Sequence, residues 1–224
     1  MSDVGQQRGV TATRAVVVTV AVVAVLLLGA AVGLLIRLPG SDGGAPAKDS
    51  VDVGFSQDMA AHHLQGVTMA NLARDKSADT AIRQLAFDIE STQQEQVGRM
   101  KGWLSLWGMP EQSPDGTHMA WMEESSSHAH GSAEATGGVD LMPGMATSAE
   151  LSKLRSLSGT EFDVYFLQLM LRHHQGGAPM AQYGATHASL AVVRTLADNM
   201  LKSQTSESEY MKQLLTARGA GPLP

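Results

Sequence analysis

The chain of 224 residues contains no cysteine. That excludes disulfide bracing, thiolate metal sites and thiol catalysis. Aromatic residues make up only 4% of the chain, so its core must be filled by aliphatic and thioether side chains. Positive charge is short as well. Lys and Arg number 16 against 22 Asp and Glu, a net charge of −6, and no basic footprint for nucleic acid is present. Methionine, by contrast, is plentiful at 13 residues.

Four of those methionines fall in a stretch that occurs twice. Phe55–Ala70 reads F-S-Q-D-M-A-A-H-H-L-Q-G-V-T-M-A, and Phe166–Ala181 reads F-L-Q-L-M-L-R-H-H-Q-G-G-A-P-M-A. Every matched residue recurs 111 positions later without a gap, and the register continues downstream: Arg83, Gln93, Met100, Leu104 and Gly108 meet Arg194, Gln204, Met211, Leu215 and Gly219. This is an internal duplication. At about 100° per residue, Phe55, Met59, His62, Gly66 and Met69 share one helix face, with His63 at its edge. In the second copy Phe166, Met170, His173, Gly177 and Met180 do so, with His174 at the edge. A glycine inside a helix costs about 1 kcal/mol relative to alanine, so Gly66 and Gly177 predict a close approach by a neighbouring helix.

Between these boxes the punctuation predicts helices over 51–74, 80–107, 148–157, 160–183 and 189–218, stopped by Gly108-Met109-Pro110 and by Gly219 and Pro222. Ser148 is the expected cap of the short helix, and Pro179 predicts a kink or local break in the helix that contains it. Two helical hairpins joined by a long crossover give an all-α fold, a ferritin-like four-helix bundle.

Ahead of the bundle, Ala15–Ile36 carries no charge, and about 20 apolar residues suffice to cross a bilayer. The expected organisation is a cytoplasmic N-terminus (1–14), a transmembrane anchor (15–36), a linker (37–50) and an exported four-helix domain (51–224). Within the domain, repeats 55–109 and 166–220 flank a connector, 110–160. A single-pass protein of the cell membrane follows, with its C-terminal domain outside. The alternative is a secreted protein released by signal-peptide cleavage.

The chemistry lies in the repeated donors. Four buried imidazoles in a small core are costly unless each finds a partner. The packing alternative is that a methionine stripe and paired histidines are core that the duplication copied. Thioether sulfur is a soft neutral donor suited to Cu(I), and imidazole suits Cu(I) and Cu(II). Ag(I) fits the same logic, while zinc prefers Cys, His and carboxylates. A di-iron site of the ferritin type is disfavoured, because methionine stands where Glu-x-x-His would need its acid, as Met59-x-x-His62 and Met170-x-x-His173. Asp58, one turn before His62, is a candidate to orient that imidazole. Such a site should weaken as pH falls through the ordinary imidazole pKa of about 6.5. The connector adds His118, Met119, Met122, His128, His130, Met142 and Met145, which read equally as an accessory metal-catching loop or as methionines tucked onto the bundle.

The box F-x-x-x-M-x-x-H-H-x-x-G-x-x-M-A, the M-P-G-M at Met142–Met145, the G-T-E-F-D-V-Y-F-L-Q-L-M before His173-His174 and the Q-x-x-E-x-x-x-M at Gln204–Met211 together resemble the DUF305 family over about Val51–Gly219. The resemblance implies a ferritin-like fold in an exported or membrane-anchored protein. It also implies copper binding by Met and His in some members. The ligands it implies are Met59, His62, His63, Met69, Met170, His173, His174 and Met180. The chain departs from the family pattern at Gln96, where an acid is usual and which Glu207 keeps in the second repeat. It departs also at Gly66, Gly177 and Pro179.

The expected function is copper binding outside the cytoplasm, for buffering, chaperoning or resistance, with no catalytic residues and a copper-handling protein as the implied partner. A copper-dependent redox enzyme is the minor reading. The alternative from another class is a membrane-tethered helical interaction module that binds no metal.

Overall fold

The structure is a computed structural model that describes residues 17–30, 45–122 and 138–223. Residues 17–30 are helical, and the expected span Ala15–Ile36 extends beyond them on both sides. Among the described residues no helix is long and apolar enough to cross a membrane. From Ala45 onward the chain forms one compact unit. Its helices are α1 (Val51–Lys76), α2 (Thr80–Leu106), α3 (Ser148–Ser156), α4 (Gly159–His187) and α5 (Ala191–Thr216). The described residues contain no strand, only an isolated antiparallel bridge between His118 and Val139 that closes the connector.

Each repeat folds as a hairpin, α1 with α2 and α4 with α5, and the two hairpins meet through α1 and α4. Capping residues explain the boundaries. Ser50 caps α1, accepting from Val53 N at 3.3 Å. Asp79 caps α2, accepting from Ala81 N at 2.8 Å and Ile82 N at 3.2 Å. The stops repeat with the duplication. Gly108 (φ +67) and Gly219 (φ +66) turn the chain left-handed. The next amides, of Met109 and Ala220, reach back to Leu104 O at 2.8 Å and Leu215 O at 3.0 Å, as such motifs require.

Three local expectations change. The cap of α3 is Thr147, not Ser148. Its hydroxyl accepts from Glu150 N while the Glu150 carboxylate accepts from Thr147 N, a reciprocal capping box. The helix containing Pro179 continues to His187 without a break. Both of its ends also lie beyond the expected 160–183, at Gly159 and at His187.

The core has two apolar clusters. One holds Met69, Met170 and Met211 among Ile82, Leu85, Ile89, Phe162, Phe166 and Leu169. The other is rich in thioethers: Met59, Met100, Met122, Met142, Met180 and Met200 are buried in it, and Met119 and Met145 pack against it. With few aromatics available, flexible methionines fill the irregular space between helices.

Asp52 ties the hairpins together. It is fully buried at the start of α1, and its carboxylate accepts from Ser189 N at 2.9 Å and Leu190 N at 2.8 Å, the two amides that lead into α5. Asp52→Ala should strand both amides and lower unfolding free energy by about 2 to 4 kcal/mol, read as a reduced urea midpoint with an unchanged slope. A shift below about 0.5 kcal/mol would show that water replaces the carboxylate.

Candidate metal centre

The histidines of the two boxes converge where α1 crosses α4. His62 and His173 stack at 3.9 Å between ring centroids, with His63 6.4 Å from His62 and His174 6.1 Å from His173. The four rings are buried. The repeated glycines make room for them. A Cβ on Gly177 would meet His62 Cε1 at 3.1 Å, and one on Gly66 would meet His173 Cε1 at 3.0 Å. The close approach expected at these glycines is therefore that of the opposite repeat's imidazole and of a glutamine of the partner helix, Gln93 Oε1 lying 2.2 Å from a Cβ on Gly66 and Gln204 Oε1 3.4 Å from one on Gly177. The exchange of His62–Gly177 for His173–Gly66 is the mark of an approximate two-fold relation between the repeats.

Each ring uses the same nitrogen to hold its place. His62 Nε2 donates to Pro143 O at 3.1 Å and His173 Nε2 to His62 O at 2.9 Å. His63 Nε2 donates to Gln96 Oε1 at 2.8 Å and His174 Nε2 to Glu207 Oε2 at 2.6 Å. All four partners are carbonyl or carboxylate oxygens, which accept, so each Nε2 carries a proton, and on the rings that burial keeps neutral, His62, His63 and His173, Nδ1 is left as a bare lone pair. No Nδ1 of the four has a hydrogen-bond partner among the described residues. Gln93 and Gln204, equivalent in the two repeats, also have unpartnered carboxamides, and both face the glycines that admit the rings.

Burial works against charge on three of these rings. Desolvation lowers His62 to about 4 and His63 to about 3, and the neighbouring His62 adds to the effect on His63. His173 is held well below its ordinary value, first by burial and then by His62 and His174. Proton competition at these three rings therefore sets in well below the pH 6.5 expected from the sequence.

A short strap crosses the site. Met142–Met145 runs over α4, with Gly144 at φ +79 and Pro143 O resting on His62. Gln65 clamps its end: Nε2 donates to Ala146 O at 2.9 Å and Oε1 accepts from Ala146 N at 2.6 Å. Arg172, one residue before His173, reaches Met145 O at 3.4 Å and makes a two-pronged ion pair with Glu150 at 2.7 and 2.8 Å.

The methionines of the boxes are divided. Met59 and Met180 lie in the thioether-rich cluster, Met69 and Met170 in the other, and all four are fully buried. The accessory residues divide too. Met119, Met122, Met142 and Met145 pack in or against the thioether-rich cluster. His128 and His130 lie outside the described residues. His118 bonds through Nδ1 to Asp58 at 2.7 Å. Asp58 does not orient His62. It accepts from His118, Met119 N and Trp121 Nε1, each at 2.7 Å, and so anchors the connector on α1. Among the described residues no three His, Asp or Glu side chains are grouped to hold a metal ion. Gln93 and Gln204 were readable in the sequence only as matched positions of the repeat on an otherwise apolar helix face.

The model of the domain of unknown function DUF305 matches residues 52–215. The chain belongs to the DUF305 family. A DUF305 crystal structure from Streptomyces coelicolor, described as a secreted protein, is 42% identical, covering 80% of this chain and 99% of that one with a TM-score of 0.70. A DUF305 fragment from Deinococcus radiodurans is 28% identical over 77% of this chain and 99% of its own, with a TM-score of 0.61. CopM in its Cu(II)-bound form is 25% identical over 74% and 96%, with a TM-score of 0.55. CopM has also been solved with Cu(I) and with Ag. None of the curated proteins matches the chain.

Two outcomes test this geometry. The unfolded rings titrate near 6.5 and the folded ones at lower pH, so between these values the unfolded state binds more protons and stability falls as pH falls. The metal-free protein should lose stability from about pH 6.5 down to about 4, on the order of 3 kcal/mol from His62 alone. His62→Asn should flatten that profile in chemical denaturation at stepped pH. Gly176→Ala tests the strap, since its Cβ would lie 2.2 Å from Pro143 O, a backbone atom that cannot swing away. It should cost about 1 to 3 kcal/mol and raise amide exchange in 142–146. Unchanged exchange there would mean that the strap is not seated on Gly176.

Proposed function

We propose that this protein binds copper outside the cytoplasm and holds it as cargo, for buffering, chaperoning or resistance, rather than transforming a substrate. The observation that carries the reading is the shared state of the four rings. Histidines that bind metal almost always donate the other ring N–H to a carbonyl or carboxylate, which fixes the tautomer and raises the basicity of the free nitrogen. His62, His63, His173 and His174 each make that bond through Nε2 and keep Nδ1 unpartnered. The residues present therefore fit a soft or borderline ion. Nδ1 atoms of the four histidines would supply the nitrogen donors, and Met59, Met69, Met170 and Met180 are thioethers on the same two helices. Neutral sulfur and imidazole together favour Cu(I) and Ag(I) and accept Cu(II). The metal-bound forms of CopM, a protein of the same fold, support this choice of cargo.

An extracytoplasmic place fits both the apolar, charge-free run Ala15–Ile36 and the secreted description of the Streptomyces coelicolor relative. In this reading residues 15–36 hold the domain at the cell membrane, and a copper-handling protein delivers or receives the ion.

The test is competition against a chelator. The metal-free full chain should take up Ag(I), and Cu(I) under reducing conditions. His63→Gln with His174→Gln should weaken uptake at least tenfold for Ag(I) and Cu(II) alike. Met59→Leu with Met170→Leu should weaken Ag(I) more than Cu(II). If the histidine variant, folded by circular dichroism, competes as well as the natural chain, the rings are packing and the protein is the helical interaction module.

A further inference from the structure

The two repeats are an internal control for each other, and at the acceptors of the equivalent rings His63 and His174 they differ in charge. His63 and His174 are equivalent, as are the side chains that receive their Nε2–H, Gln96 at 2.8 Å and Glu207 at 2.6 Å. One acceptor is a neutral amide and the other a carboxylate. The other two rings donate to backbone carbonyls, and the nearby polar side chains Gln93 and Gln204 are neutral. Among the described residues Glu207 is thus the one carboxylate bonded to the four imidazoles. It is only partly shielded, with 21% of its side chain exposed against 0% for His174.

We propose that Glu207 is the charge-selecting residue of this site, setting how strongly it prefers a divalent over a monovalent ion. This rests on the four rings being the metal donors. A single negative charge at a fixed distance stabilises an ion in proportion to that ion's charge, so its contribution to log affinity is twice as large for a divalent as for a monovalent ion. The bond to Nε2–H adds to this by raising the donor strength of His174 Nδ1. Glu207 does not touch the ion and acts through His174. The first repeat, with Gln96, lacks this charge, so the two halves of the site are unequal although their geometry is alike.

The test uses the full chain with Ag(I) and Cu(II) as redox-stable probes, each titrated against a chelator of known affinity. Glu207→Gln keeps an acceptor for His174 and removes the charge. It should lower Cu(II) affinity by about 10- to 100-fold and Ag(I) affinity by roughly the square root of that factor. Gln96→Glu should move the Cu(II)/Ag(I) ratio the other way, and the double exchange Gln96→Glu with Glu207→Gln should return it to the natural value. Imidazole 15N NMR of the metal-free Glu207→Gln protein should still show the proton of His174 on Nε2. Equal loss for both ions, or a ratio unmoved by Gln96→Glu, overturns charge selection. A His174 tautomer that flips in Glu207→Gln does so too, because the residue then only orients the ring. If the natural chain takes up neither ion, the metal reading itself falls and charge selection with it. Uptake by the natural chain with an unmoved ratio overturns the charge selection alone.

Discussion

Four imidazoles buried at one helix crossing impose the constraint that the rest of the molecule satisfies. Water cannot reach them, so every ring N–H must find an oxygen inside the protein. The oxygens come from four different places: α1's own backbone at His62, α2 through Gln96, α5 through Glu207, and the connector through Pro143. The hairpins, the crossover and the repeated glycines can all be understood as the frame that delivers those four acceptors. The same burial keeps His62, His63 and His173 neutral, and a neutral ring with one nitrogen occupied leaves the other available.

The duplication produces near symmetry, and its failures carry the chemistry. His173 donates to the carbonyl of His62, but His62 does not return the bond to His173; it turns to the strap instead. Asp52 caps the linker into α5, whereas its counterpart Asp163 keeps a buried, unpartnered oxygen. Asp58 anchors the connector, and Leu169 stands in its place in the second repeat. The first repeat thus holds the crossover, while the second holds the carboxylate beside the rings.

Much of this was legible before any coordinates. The helix limits, the hairpin pairing and the four histidines follow from a gapless repeat, from helical periodicity and from Gly stops, all of which are local or pairwise signals. What was not legible depends on the third dimension. Helical spacing puts Met59 and Met69 on the face of His62, but α4 runs antiparallel to α1, so their neighbours across the interface belong to two separate clusters. Asp58 lies one turn from His62, yet its carboxylate is taken by three donors that sit 60 or more positions along the chain. Gln93 and Gln204 carry no signal beyond their recurrence, because a lone glutamine on an apolar face is ambiguous in sequence.

The strap has a further consequence. It lies against His62 through Pro143 and is pinned at its far end by Gln65 and Arg172. His62 is sealed from solvent beneath it, so anything held at His62 Nδ1 would exchange when that roof lifts. Turnover of an occupant there would be limited by how often the roof lifts, a property of the Gln65 and Arg172 latches, and strength of holding would become separable from speed of release. A compartment built this way would retain an occupant on the time scale of local unfolding, whatever its equilibrium affinity.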